Sequence, residues 1–94
     1  MKEVWIIGCG GSEADGIGFT KVFGDKDRVK EVMFQQVKDA KDNAEKYDGN
    51  SWTDGTESIY DISETPQGTL YAYASFDTYH IDWEAIPAVD IEQV

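Results

Sequence analysis

The sequence predicts a single α+β domain with the order β-β-α-β-β, in which one helix covers one face of an antiparallel sheet. One segment has the three- and four-residue periodicity of a helix, and apolar residues alternate at a period of two both before and after it. The chain has 94 residues, of which 40% are hydrophobic, and this size fits one hydrophobic core. We therefore expect residues 1–94 to form one domain, with a loose acidic tail over residues 90–94.

The first two strands are predicted from short β-rich segments on either side of a glycine-rich loop. Residues 4–7 are all apolar, and the loop follows over residues 8–16. Ile17, Phe19 and Phe23 then recur at a period of two, which places them on one side of a second strand. These segments predict a hairpin.

The helix is predicted to run from about Lys26 to Lys46. Asp25 and Asp27 stand at its start, where a carboxylate can accept hydrogen bonds from free amide groups, and Gly49 follows its end. Apolar residues at three- and four-residue steps predict one buried stripe. The stripe contains Val29, Val32, Met33, Val37, Ala40, Ala44 and Tyr47.

A second hairpin is predicted after a connecting loop over residues 48–55. Residues 58–64 alternate as a strand does, and residues 65–68 have the composition of a turn. In the returning strand, the even-numbered residues from Leu70 to Phe76 form one apolar side, which we expect to face the helix. Tyr71 and Tyr73 then lie on the opposite side.

The apolar residues change phase after this strand. Tyr79, Ile81 and Trp83 are odd-numbered, whereas the apolar set before them is even-numbered. A bulge inserts one extra residue into a strand and thereby reverses the direction of the side chains that follow. We expect such a bulge near Asp77 and Thr78.

The distribution of charge separates the two halves of the chain. Residues 1–46 contain 8 basic and 9 acidic residues, whereas residues 47–94 contain 10 acidic residues and no lysine or arginine. Such a surface repels nucleic acid and anionic lipid, because both bind through cationic groups. We expect no direct contact with nucleic acid or membrane, and a partner with a basic surface.

Three features weigh against catalysis, metal binding and secretion. His80 lies two residues from Asp82 and on the same side of a strand, but no nucleophile accompanies this pair. One histidine and one cysteine, Cys9, allow neither a typical zinc site nor an intramolecular disulfide. The apolar run near the N-terminus is too short for a signal sequence. The sequence therefore predicts a cytoplasmic, non-enzymatic protein without a cofactor or metal.

Short motifs carry a resemblance to known proteins. Residues 54–57, 70–74 and 79–83, read as DGTE, LYAYA and YHIDW, resemble small uncharacterised proteins of phages and mobile elements of Gram-positive bacteria. The resemblance implies no catalytic residue or cofactor. It favours an accessory protein directed at the host, as acidic DNA mimics that inhibit nucleases are.

The leading hypothesis is a binding or inhibitor protein that presents its acidic C-terminal half to a basic surface of a host protein, for example a nucleic-acid enzyme. Exposed tyrosines, with Trp5 or Trp83 nearby, would add contact area. One alternative is a module that binds a small molecule or divalent cation in the loop over residues 8–16 or 48–57, and a third is a structural homodimer. The predicted partner-binding residues are Asp61, Glu64, Tyr71, Tyr73, Asp77, Asp82 and Glu84.

Overall fold

A computed structural model of the chain describes residues 3–11, 18–47 and 49–88. They form an α+β fold with an antiparallel sheet and one α-helix in the described part, so this part of the prediction is confirmed. The order of elements is β-β-α-β-β-β-β, which corrects the shorter order expected from the sequence. The expected tail over residues 90–94 lies outside the described residues. The elements are β1 (Val4–Gly11), β2 (Gly18–Phe23), α1 (Lys26–Lys46), β3 (Trp52–Gly55), β4 (Ser63–Glu64), β5 (Leu70–Phe76) and β6 (His80–Ala88).

The strands lie in the order β2-β1-β6-β5-β3, and the short β4 also pairs with β5. Every pair is antiparallel, and β6 lies between β1 and β5. The helix connects β2 at one edge to β3 at the other, and it packs mainly against β5. The sheet therefore has one side covered by α1 and one side that α1 does not cover; we call these the covered face and the open face.

The phase change after β5 comes from a hairpin turn, and the expected bulge near Asp77 and Thr78 is wrong. β5 ends at Phe76, and β6 begins at His80 and returns beside it. In this register an even-numbered residue of β5 pairs with an odd-numbered residue of β6, as Ala72 does with Trp83. Directly paired residues share a face, so the two phases belong to the same covered face.

Residues 48–64 also differ from the prediction. The segment expected to be a loop contains β3, and residues 58–64 contain a short 3₁₀ helix, Ile59–Asp61, before the two residues of β4. The Ser58 hydroxyl accepts a hydrogen bond from the Tyr60 amide at 3.3 Å and so starts the 3₁₀ turn. The predicted turn over residues 65–68 is present, with Gly68 at φ 84°.

The core lies between α1 and the covered face. Asp25 caps the helix, because its side chain accepts a hydrogen bond from the Arg28 amide at 3.0 Å. The predicted apolar stripe is buried or half-buried from Val29 to Ala44, but Tyr47 at its end is 78% exposed and does not belong to the core. The helix contributes Val29, Met33, Val37 and Ala44, and the strands contribute Trp5, Ile7, Val22, Leu70, Ala72, Ala74, Phe76, Trp83 and Ala85.

The second strand turns its large apolar side chains away from the helix. Val22 is buried on the covered face, and the Thr20 hydroxyl on the same face accepts a hydrogen bond from the Gln36 side chain at 3.0 Å. Phe19 and Phe23 are 72% and 61% exposed on the opposite side. Ile17, predicted to share their side, lies outside the described residues.

Candidate functional site

The open face carries most of the exposed large apolar side chains of the sheet. Single exposed apolar residues are common on protein surfaces, but several on one face indicate a place where another molecule binds. The register places β2, β1, β6 and β5 side by side, so side chains of all four strands share this face. The exposed large hydrophobic and aromatic residues there are Phe19, Phe23, Tyr71, Tyr73 and Ile86.

Two tyrosines on β5 bind carboxylates of the neighbouring strands. The Tyr71 hydroxyl donates a hydrogen bond to Asp82 Oδ1 of β6 at 2.8 Å, and the Tyr73 hydroxyl donates one to Asp54 Oδ2 of β3 at 3.3 Å. The two rings are stacked, with centroids 6.4 Å apart and planes inclined by 23°. Glu84 pairs directly with Tyr71 across the strands. We call Asp54, Tyr71, Tyr73, Asp82 and Glu84 the tyrosine–carboxylate cluster.

The pKa values of both tyrosines in the cluster are raised. Burial raises the pKa of Tyr71 to about 12, and the hydrogen bond to Asp82 and the charge of that carboxylate add to the shift. The pKa of Tyr73 is also raised, first by the negative charge of Asp54 and then by desolvation. Both hydroxyls are hydrogen-bond donors at neutral pH, as tyrosine hydroxyls generally are, and the raised pKa values keep them protonated to a higher pH than usual.

Lysine and arginine side chains lie almost entirely on the other side of the molecule. Lys26 pairs with Glu64, and Arg28 Nη1 lies 3.3 Å from Glu31 Oε2. On the open face, among the residues that the structure describes, the one lysine or arginine is Lys21, whose Nζ lies 5.7 Å from the centre of the Phe23 ring. The carboxylates of the cluster therefore have no lysine or arginine partner within the described chain.

One histidine lies beside the cluster. His80 Nε2 is 3.7 Å from Asp82 Oδ2, as expected from their positions on one side of a strand. Asp82 thus contacts Tyr71 through one carboxylate oxygen and approaches His80 with the other. Both side chains of this pair are about half exposed, so a ligand could reach the carboxylate from solvent.

Four of the seven predicted partner-binding residues lie together on the open face: Tyr71, Tyr73, Asp82 and Glu84. The structure separates the other three from them. Asp61 accepts a hydrogen bond from the Glu57 amide at 3.2 Å, and Asp77 accepts one from the Ser51 amide at 3.0 Å. Glu64 is bonded to Lys26 of the helix. Asp61 therefore stabilises a local turn, Asp77 connects the turn after β5 to the segment before β3, and Glu64 connects β4 to the helix.

The sequence also misplaced or missed several residues. Trp5 and Trp83, expected near the tyrosines, are 3% and 1% exposed on the covered face. Asp54 is not among the predicted partner-binding residues, because the sequence predicts a loop there; its strand pairs with β5, and this pairing places it beside Tyr73. Phe19 and Phe23 stood in the predicted strand, and only the position of the helix shows that they are exposed.

The alternative loop sites receive no support from the described residues. The part of the chain in residues 3–11, 18–47 and 49–88 contains no group of three or more histidine, cysteine or acidic side chains arranged to hold a metal ion. Residues 12–16 and Asp48, which belong to the two loops considered, lie outside it. No helix in the described part is long and apolar enough to cross a membrane.

Comparisons of the chain with protein-family models, with curated proteins and with solved structures found no match.

Proposed function

We propose that the protein is a non-enzymatic binding protein whose tyrosine–carboxylate cluster binds a basic surface of another protein. One observation carries this proposal: three carboxylates stand beside two half-exposed tyrosines on an uncovered sheet face, with no lysine or arginine of the described chain to neutralise them. The partner supplies the missing positive charge.

The two kinds of side chain in the cluster have different roles in binding. Tyrosine buries a large area at a small cost in conformational entropy, so Tyr71 and Tyr73 serve as anchors at the centre of the contact. The carboxylates attract a basic surface over a distance of several ångströms and accelerate association more than they tighten the final complex. Binding should therefore weaken as the salt concentration rises.

The carboxylates lie close together on one strand, and such an arrangement of negative charge suits a partner that normally binds nucleic acid. Asp82 and Glu84 are two residues apart on one strand, which separates them by about 6.6 Å. A row of fixed negative charges on a rigid sheet can occupy a channel that is lined with lysine and arginine for the phosphates of DNA. The proposal in its more specific form is therefore an inhibitor of a host nucleic-acid enzyme.

The experiment compares two variants that carry the same change in net charge. The site variant combines Asp54→Asn, Asp82→Asn and Glu84→Gln. The matched control combines Asp42→Asn, Glu45→Gln and Glu57→Gln, which are exposed and lie outside the open face. The wild type and both variants are immobilised, a bacterial lysate is passed over each at low salt, and the retained proteins are eluted with salt and identified.

We expect the wild type and the control to retain the same basic protein and the site variant to lose it. The eluted protein is then tested for release by duplex DNA, which competes if the cluster occupies a nucleic-acid channel. Equal losses in both variants would show that bulk charge alone is responsible, and equal retention in all three would place the contact elsewhere. Either result would refute the proposed role of the cluster.

A further inference from the structure

The strand β2 forms a free edge of the sheet. It stands at the end of the strand order and pairs with β1 alone among the described strands. The Gly24 amide donates to the Glu3 carbonyl at 3.0 Å, which fixes the alternation of hydrogen-bonded pairs along this ladder. By that alternation the amide and carbonyl groups of Phe19, Lys21 and Phe23 point away from β1. These groups form a row of hydrogen-bond donors and acceptors with which another strand can pair.

The opposite edge of the sheet is protected. It consists of β3, with four residues and a register shift between Trp52 and Asp54, and of β4, with two residues. Short strands and irregular register are the usual means of preventing further pairing at an edge. The six residues of β2 pair with β1 in an unbroken register and carry one charged side chain, Lys21.

We propose that β2 pairs antiparallel with β2 of a second copy of this chain, about a two-fold axis that passes beside Thr20. The edge is complementary to itself, because Lys21 of each copy can lie opposite the Phe19 ring of the other. The acidic strands of the two copies would lie far apart, because β6 is two strands from the contact in each copy and the two β6 strands are about 24 Å from each other. This distance is about three Debye lengths at physiological salt, so the acidic side chains of the two β6 strands repel each other only weakly.

The register follows from Lys21 and from the length of β2. An axis at Thr20 pairs residues 18–22 of the two copies, whereas an axis at Val22 would pair only residues 21–23. A two-fold axis at Lys21 would set two ammonium groups directly opposite one another, which destabilises a strand pair. An axis at Thr20 sets Lys21 of each copy opposite Phe19 of the other, and an ammonium group beside an aromatic ring is attracted by it. Lys21 already lies over an aromatic ring within its own chain, that of Phe23. The pairing also covers part of the exposed Phe19 side chain.

This dimer is independent of the proposed function, because it uses the opposite end of the open face. It joins the two open faces into one continuous surface and leaves a tyrosine–carboxylate cluster towards each outer end. A partner with two basic sites could then contact both clusters at once, which increases the apparent affinity. The dimer is measured on the purified protein alone, so its failure and the failure of the binding proposal are separate results.

Sedimentation equilibrium over a wide range of concentration tests the dimer. We expect the wild type to reach twice the 10.5 kDa mass of one chain. Lys21→Pro removes an amide hydrogen that points away from β1, so the β1–β2 ladder keeps its bonds while the dimer is lost. In case proline disturbs the fold, Phe19→Glu with Phe23→Glu is the second variant, and Tyr47→Glu with Tyr60→Glu, both highly exposed and outside β2, is its matched control.

A cysteine at position 20 tests the register. Directly opposite residues in a non-hydrogen-bonded pair have Cα atoms about 4.5 Å apart, within the range that a disulfide can bridge. Thr20→Cys, in a chain that also carries Cys9→Ala, should therefore form a cross-linked dimer under mild oxidation. A wild type that stays at the mass of one chain, a dimer that survives both β2 variants, or a failure of Thr20→Cys to cross-link would overturn the proposal.

Discussion

The two faces of the sheet are made by alternate residues of the same strands, but they use large side chains for different purposes. On the covered face, residues such as Trp5, Leu70 and Trp83 are at most 3% exposed and pack against the helix or against each other. On the open face, Phe19 and Phe23 remain more than half exposed. An exposed phenylalanine adds nothing to the core and lowers solubility, and this difference between the faces is a reason to propose the open face as the binding surface.

The largest expected effect comes from adjacent residues of β5 that point to opposite faces. Leu70→Ala should lower the free energy of unfolding by about 2–5 kcal/mol, because it removes a fully buried side chain and leaves a cavity. Tyr71→Ala should lower it by roughly 1 kcal/mol, the usual value of one hydrogen bond. Urea denaturation of the two variants measures both. If both variants lowered the free energy of unfolding by the same amount, Tyr71 would be as buried as Leu70. The open face would then be covered in solution.

The elements that could be predicted from the sequence are those with a clear apolar pattern on the side that enters the core. The helix has an apolar stripe and a capping aspartate, and β5 alternates strictly from Leu70 to Phe76, so local sequence defined both elements. Such patterns reflect burial against one partner, which a single segment records in its own residues. The change from even-numbered to odd-numbered apolar residues before Trp83 is also evident in the sequence, although a turn and not a bulge causes it.

The open face could not be predicted in the same way, because a period of two shows that two sides differ and does not show which side the helix covers. In β2 the larger apolar residues, Phe19 and Phe23, lie on the side away from the helix, whereas Val22 enters the core. β1 is apolar on both sides over residues 4–7, so its sequence does not show which side chains face the helix. The position of Asp54 depends on pairing with a strand about twenty residues away, which no local pattern contains.

Thr56 is a buried polar residue beside β5, with an exposed fraction of 3%. Its hydroxyl accepts a hydrogen bond from the Tyr73 amide at 3.3 Å, in the gap between β3 and β4. Thr56→Val should lower the free energy of unfolding by about 1–3 kcal/mol, because it leaves that amide without a partner. Thr56→Ser keeps the hydroxyl and is the control. If the two variants unfold at the same urea concentration, the hydrogen bond does not contribute.

A smaller effect is expected from the titration of Tyr71 on the open face. Its pKa is raised to about 12, so between about pH 10 and pH 12 the unfolded chain loses this proton before the folded protein does. The contribution of this group to stability is therefore complete below pH 10 and declines as the pH rises through that range. Asp82→Asn should lower the pKa, since it removes the negative charge that opposes ionisation. Ultraviolet absorbance of tyrosinate follows the titration, and an unchanged curve would show that the hydrogen bond to Asp82 is absent in solution.

The smallest effect is expected at Glu64, which pairs with Lys26 on the helix side of the sheet. The hydrogen bond and the positive charge of Lys26 lower the pKa of Glu64, so this pair stabilises the fold at neutral pH and ceases to do so as the pH falls through the lowered value. Because both side chains are exposed, water and salt screen the attraction, and Glu64→Gln should change the melting temperature only slightly. The difference from the wild type should vanish in acid and in high salt. The variant should also retain the same partner as the wild type on the column, and a loss of that partner would move the binding surface from the open face towards the helix.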